Sequence, residues 1–238
     1  MNESELPNII ETRSDNFRLL KIIRTVWFVL SIGLIADGSI VIGSSFLRFF
    51  THWGLIYDMI YFGIGACCSY FMKTTKYKNG NYIAIRKAYR ILFEIGWMIS
   101  WLVSVVFWAI LFPVIMIHYD DFSNKAKWNT GINMFIYNIC VHSLPLTGMI
   151  LEMIYNKMVF VPYHSLFGVL LIAIYGLLDS ILTFLGYGEA YEYVLTWTNW
   201  LTVVVIVGFM GIALGAFGIG YKISQRKLRK TAFAKVIL

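Results

Sequence analysis

Two stretches carry residue types that could do chemistry. FLRFFTHWGLIYD (residues 46–58) sets Thr51 and His52 at the edge of an apolar run, and NICVHSLPLTGMILEM (138–153) sets His142 inside another. A threonine hydroxyl is a poor nucleophile until a neighbouring base takes its proton during attack. Histidine is the side chain that accepts and returns a proton near neutrality, so Thr51 and His142 together would be equipped for acyl transfer. The negative charge that develops on an attacked carbonyl needs donors, for which His52, Asn138 and the indole of Trp53 are candidates.

Other ionisable groups lie in the same apolar surroundings: Asp37, Asp58, Glu94, Glu152 and Asp179. A charge in hydrocarbon is costly and normally faces a bundle interior or water. With 3.6 residues per turn, Asn138, His142 and Glu152 share one helix face, Thr51 and Asp58 a second, and Tyr175, Asp179 and Thr183 a third. Such stripes either satisfy one another across a bundle or line a site. Glu94 has a nearer partner in Arg90, one turn earlier. Ser100, Ser104 and the Trp97, Trp101, Trp108 stripe read as packing.

The elements that must hold these groups follow from composition. Hydrophobic residues make up 59% of the 238, aromatics 17% and charged residues only 14%, with a mean hydropathy of +0.70. These values exclude an ordinary soluble domain. Six stretches approach or exceed the ~20 apolar residues that span a bilayer, at 25–45, 53–72, 89–117, 132–155, 165–186 and 198–220. The fold class expected is therefore all-α, a polytopic bundle of six transmembrane helices. It forms one domain over 1–238, with a polar N-terminal segment (1–20) and a basic tail (221–238).

Charge orients the bundle. With six spans, 17 of the 20 basic residues fall on one side, leaving Arg48, Lys125 and Lys127 on the other. Positive residues are retained in the cytoplasm, so both termini are expected there. The net charge of +7 is then an attraction to anionic lipid headgroups at the basic loops, and nucleic acid is not an expected partner. Trp53, Trp128, Trp197 and Trp200 fall at outer boundaries, where indoles anchor to the interface. Cys67, Cys68 and Cys140 make no disulfide framework, and no metal-ligand spacing, phosphate loop or GxSxG elbow occurs, so no cofactor or metal is expected. The N-terminus lacks a compact signal-peptide core, and the terminal AKVIL is not a retention signal. Endoplasmic reticulum or plasma membrane is the expected location.

FFTHWGLIYDMIYFGI and NICVHSLPLTGMILEM together resemble the androgen-induced and androgen-dependent TFPI-regulating protein family. Thr51, Asn138, His142, Ser143 and Glu152 stand at the positions of its pattern. The resemblance extends to span number, chain length and topology. It implies an intramembrane threonine hydrolase of fatty acid esters of hydroxy fatty acids, with Thr51 as nucleophile and His142 as base. His52, Trp53, Asp58, Asn138, Ser143 and Asp179 would be substrate-contacting or supporting residues. His52 departs from the pattern, which has an apolar aromatic there.

Two other functions fit the same polar stripes. A proton-coupled transporter or channel would use Asp58, His142 and Asp179 as a relay, and a non-catalytic, lipid-binding subunit of a membrane assembly would use them for packing. The hydrolase also sets a geometric condition. A rise of 1.5 Å per residue puts Thr51 ~8 Å below a helix start near 46, and His142 ~15 Å below one near 132. Helix tilt, a bend at Pro145 or a different depth of membrane entry must close that gap.

Overall fold

The computed structural model describes residues 17–71, 80–117, 131–188, 190, 191, 197 and 199–237. Arg13, Lys73, Lys76, Lys78, Lys125, Lys127 and Trp128 lie outside the described residues, and so does most of the polar N-terminal segment. All regular structure among the described residues is helical, as expected where no water is available to satisfy an open backbone. In chain order the helices are α1 (Phe17–Ile42), α2 (Phe50–Phe71), α3 (Gly80–Val106), α4 (Phe112–Ile117), α5 (Gly131–Tyr155), α6 (Ser165–Leu182) and α7 (Leu201–Ile237).

Four helical segments are long and apolar enough to cross a membrane: Phe17–Ile40, Lys87–Ile117, Pro162–Tyr187 and Leu201–Arg229. They mark an integral membrane protein. Their outward faces carry exposed apolar residues such as Val29, Leu166, Leu177, Val203 and Val207, the pattern of helices solvated by lipid. The 22-residue α2 and 25-residue α5 are not among the four. They hold Thr51, His52 and Asp58, and Asn138, His142 and Glu152, respectively. α1, α3 and α7 run past the apolar stretches at their basic ends, since helical hydrogen bonding does not stop where hydrocarbon does.

α3 is the central helix and packs against α2, α5, α6 and α7, while α1 covers α2 and α5. Its buried residues Trp97, Met98, Ile99, Leu102, Val103 and Val106 form the middle of the core. α3 passes into α4 through a wide π-helical turn at Phe107–Leu111. Pro113 has no N–H for the Ala109 carbonyl and its ring crowds the preceding turn, and the helix relieves this by widening. Beyond α6, a second wide turn (Thr183–Tyr187) ends in left-handed backbone at Gly186 (φ 88°) and Gly188 (φ 77°), a conformation that favours glycine.

Two buried carboxylates tie elements distant in sequence. Arg24 on α1 donates to Glu152 on α5, with Nη2 2.6 Å from Oε1, and its Nη1 donates to Ser69 on α2 at 2.9 Å. Glu152 therefore faces α1 and does not join His142 in a common site. Glu94 accepts from His164 Nδ1 (2.5 Å) and from the Val161 N–H (2.9 Å), so these groups, and not the expected Arg90, are its hydrogen-bond partners. The pairing follows from the connection before α6, which folds back over α3. Lys227 on α7 donates to the Met153 and Asn156 carbonyls at the end of α5, where a cation suits both the unpaired carbonyls and the helix dipole.

Arg24 and Glu152 are 1% and 0% exposed, so removing one leaves the other's charge uncompensated, at a cost of about 3–5 kcal/mol. Arg24→Met and Glu152→Met are each expected to lower the thermal unfolding midpoint in detergent markedly. The double variant should recover most of the loss, because apolar replacement of both partners is often neutral.

Candidate functional site

The site is built where the start of α2 meets the middle of α5. A six-residue 3-10 turn (Gly43–Arg48) and the extended Phe49 separate α1 from α2, so α2 begins at Phe50 rather than near 46. Thr51 thus lies in the first turn of its helix, while His142 lies three turns into α5. The two helices are offset along the bundle by that difference. Thr51 Oγ1 is 3.1 Å from His142 Nε2.

The protonation pattern of the ring follows from its second contact. His142 Nδ1 is 2.6 Å from the Asn138 carbonyl oxygen, which can only accept, so in the neutral ring Nδ1 carries the hydrogen and Nε2 accepts from Thr51. A backbone carbonyl here does the orienting that a carboxylate does in a Ser-His-Asp triad. The ring stacks on Phe107 with centroids 3.9 Å apart and planes 10° from parallel, and Ser104 donates to the His142 carbonyl. The wide turn after α3 therefore delivers the aromatic face against which the imidazole packs. Thr51 and His142 are 7% and 5% exposed, so both sit away from bulk solvent.

A cavity of about 40 Å³ opens beside Thr51. Its polar end is made by Thr51, Tyr175 and Tyr191, and its apolar walls come from α3 (Leu102, Val103, Val106), α6 (Ile172) and α7 (Ile206, Phe209), with Leu111 also on the wall. The space exceeds what a single water requires. Leu111, Ile206 and Phe209 are half-buried, beside the exposed Ile110 and Val207. This end of the cavity borders the lipid-facing surface.

The remaining sequence candidates divide. Asn138 and Ser143 are near His142: the first supplies the carbonyl to Nδ1, and the second accepts from Trp108 Nε1 at 3.2 Å. His52 is engaged on both nitrogens, with Nδ1 2.6 Å from the Phe46 carbonyl and Nε2 3.1 Å from the Tyr137 hydroxyl. Trp53 Nε1 donates to the Leu47 carbonyl at 2.7 Å. Neither ring therefore has an N–H left for a substrate oxygen, and both fasten the turn before α2. Asp58 is buried with Oδ2 unpartnered. Asp179 accepts from Trp197 Nε1 at 2.8 Å and lies 3.9 Å from Arg48. Among the described residues, no hydrogen bond joins Asp58 or Asp179 to His142, and no cluster of His, Cys, Asp and Glu is arranged to hold a metal ion.

Phe107, Ser104, Tyr175 and Tyr191 complete the site, and sequence reasoning did not assign them to it. Tyr191 lies in the short connection after α6, where no periodicity marks a residue's direction. It lines the cavity beside Thr51, and its ring meets Phe49 edge-on with centroids 5.6 Å apart. Arg48 steadies that connection by donating to the Tyr187 and Gly188 carbonyls at 2.5 and 2.6 Å.

No family model, no curated protein and no solved structure matches this chain.

The Asn138 contact dictates the tautomer whatever lies at position 51. Nitrogen-15 NMR of histidine-labelled protein, at a pH where the ring is neutral, is expected to show His142 protonated at Nδ1. Thr51→Val should leave that tautomer in place while shifting the Nε2 resonance, since it removes only the hydrogen bond to Nε2.

Proposed function

We propose that this chain is an intramembrane hydrolase of lipid esters, with fatty acid esters of hydroxy fatty acids as substrates, Thr51 as nucleophile and His142 as general base. The observation that carries the reading is the 3.1 Å contact from Thr51 Oγ1 to a His142 nitrogen left free to accept. It lies at the polar end of a cavity whose walls are otherwise apolar. The likeness of FFTHWGLIYDMIYFGI and NICVHSLPLTGMILEM to the androgen-induced and androgen-dependent TFPI-regulating proteins supports the same substrate class.

In this mechanism one acyl chain lies along Leu102, Val103, Val106 and Ile206, bringing the ester carbonyl to Thr51. As Oγ1 bonds to the carbonyl carbon, its proton passes to His142 Nε2 and the carbonyl oxygen becomes an oxyanion. Collapse breaks the bond to the hydroxy fatty acid, whose oxygen takes the proton back from Nε2. The acyl group remains on Thr51. Water, deprotonated by the same nitrogen, then attacks the acyl-threonine, releasing the fatty acid and restoring the hydroxyl. Stacking on Phe107 and the Nδ1–H bond to Asn138 hold the imidazole in one orientation through both half-reactions.

The arrangement in the bilayer belongs to the same proposal. α2 and α5 join the four strongly apolar segments as a fifth and sixth span, with both termini cytoplasmic and the basic ends on anionic headgroups. The membrane is that of the endoplasmic reticulum or the cell surface. Substrate arrives laterally from lipid, near Leu111, Ile206 and Phe209. A proton relay through Asp58, His142 and Asp179 is less well supported, because among the described residues no hydrogen bond links the three.

Purified protein in nanodiscs is expected to cleave a branched fatty ester within a panel of lipid esters. Thr51→Ala and His142→Ala should each lower turnover by about 10³-fold or more at matched folding, while Thr51→Ser retains activity. Ile206→Trp, which fills the cavity without touching the dyad, should depress long-chain turnover most. Binding of the esters without cleavage, or full activity in Thr51→Ala, would overturn the mechanism.

A further inference from the structure

Next to the Thr51–His142 contact lies a second hydroxyl–imidazole contact of the same build. His52 places Nδ1 2.6 Å from the Phe46 carbonyl and Nε2 3.1 Å from the Tyr137 hydroxyl, and its ring stacks on Phe46 with centroids 4.0 Å apart and planes 14° from parallel. His142 does the same with the Asn138 carbonyl, Thr51 and Phe107. A carbonyl can only accept, so in the neutral ring Nδ1 of His52 carries the hydrogen and Nε2 accepts from Tyr137. The two contacts are crossed. α2 lends the hydroxyl of Thr51 to a histidine of α5, and α5 lends the hydroxyl of Tyr137 to the histidine that follows Thr51 in the chain.

The proposed chemistry uses the first contact and leaves the second without a part. Thr51 stands in the first turn of α2, where backbone N–H groups lack helical acceptors and a helix restrains its own residues least. Before it come only the 3-10 turn and the extended Phe49. α5, by contrast, is fixed to α1 through Arg24 and Trp27 and to α3 through Ser104. From that fixed helix a path of hydrogen bonds runs to the turn, from the Tyr137 hydroxyl to His52 Nε2 and from His52 Nδ1 to the Phe46 carbonyl. Helical side chains lean toward the N-terminus of their helix, which lets His52 reach back over the turn. Tyr137 is itself confined: it is buried against Leu55 and Val141, and its hydroxyl lies over Gly38 of α1, where any side chain would collide with it.

We propose that Tyr137 is a positioning residue for Thr51: through His52 it ties the turn before α2 to α5, and so sets the distance at which the threonine hydroxyl meets His142. The effect on turnover rests on the hydrolase reading of the same site, whereas the tie itself does not. A helix advances 1.5 Å per residue, so a slip of one residue would carry Oγ1 out of hydrogen-bond range of Nε2. A displacement of ~1 Å at the reacting atoms costs on the order of 10²-fold in rate. Tyr137 and His142 are separated by about 7.5 Å along the axis of α5. Their two contacts together resist both sliding and tilting of the start of α2, which neither does alone. The tie also gives a use to the departure at position 52, since an apolar ring could stack on Phe46 but could not accept from Tyr137.

Tyr137→Phe keeps the ring and removes the hydroxyl, while His52→Asn keeps a donor near the Nδ1 position and cannot reach Tyr137. In the full chain in nanodiscs, each should lower kcat for a long-chain ester about tenfold, the worth of one hydrogen bond, with KM unchanged because the cavity walls are intact. The double variant should be no slower than either alone, since both break one link. Losses that multiply to about 100-fold would make the two residues independent and overturn the inference. Ser69→Ala removes a hydrogen bond from the other end of α2, and should lower the unfolding midpoint while leaving kcat unchanged. An equal fall in kcat there would reduce the Tyr137 effect to general destabilisation. A second arm uses no catalysis: in nitrogen-15 spectra of Tyr137→Phe and of His52→Asn, the His142 Nε2 resonance should move part of the way toward its position in Thr51→Val. An unmoved resonance overturns the positioning role. Absence of ester cleavage by the wild type would defeat the hydrolase reading, while the resonance still decides whether Tyr137 positions Thr51.

Discussion

Polar groups placed in hydrocarbon have no water to turn to, and this scarcity of partners organises the bundle. α2 and α5 carry the buried Thr51, His52, Asp58, His142 and Glu152 among their apolar residues, and they are held by the contacts their polar side chains make. Arg24 reaches from α1 to Glu152 on α5 and to Ser69 on α2. Trp27 donates to the Leu144 carbonyl at 2.9 Å and lies against Gly148, where a larger residue would strike the indole. From the other side, Ser104 on α3 holds the His142 carbonyl. α5 is thereby clamped between α1 and α3, and the depth of His142 is settled by contacts made well away from Thr51.

The same economy explains how the Thr51–His142 contact can persist in such surroundings. Both imidazole nitrogens of His142 are engaged: Nδ1 with the Asn138 carbonyl and Nε2 with Thr51. A neutral, fully hydrogen-bonded arrangement avoids the penalty of a buried charge. In the proposed reaction, charge appears only transiently and beside groups already oriented to receive it, the condition for electrostatic preorganisation. Phe107 adds rigidity. The wide turn that Pro113 brings about sets this ring parallel to the imidazole, so a backbone irregularity outside the dyad contributes directly to its geometry.

Function and fold are joined most closely at the start of α2. The 3-10 turn shortens α2 and puts Thr51 among amides that lack helical acceptors. His52 and Trp53, the apparent donors in the sequence, serve to pin that turn. The cavity beside it is lined by residues of α3, α6 and α7, so in the proposed mechanism the helices themselves supply both the hydroxyl and the place for an acyl chain.

Much of this could be read from the residues alone. Composition and the length of the apolar stretches determine a helical membrane protein, because spanning hydrocarbon leaves the backbone few options. The rarity of hydroxyl–imidazole combinations in such stretches singles out Thr51 and His142. What periodicity cannot supply is axial stagger. It reports which face of a helix a residue occupies, whereas the depth at which two helices meet depends on caps, tilt and side-chain contacts elsewhere. A contact between residues 91 apart, and an Arg24–Glu152 pair 128 apart, therefore came only from tertiary structure. So did the roles of Glu94 and Glu152, whose nearest charges in sequence are not their partners. Tyr191 was beyond reach for a further reason: a short connection has no repeat from which direction can be inferred, and its side chain reaches the cavity beside Thr51 only because Arg48 and Asp179 hold the chain on either side.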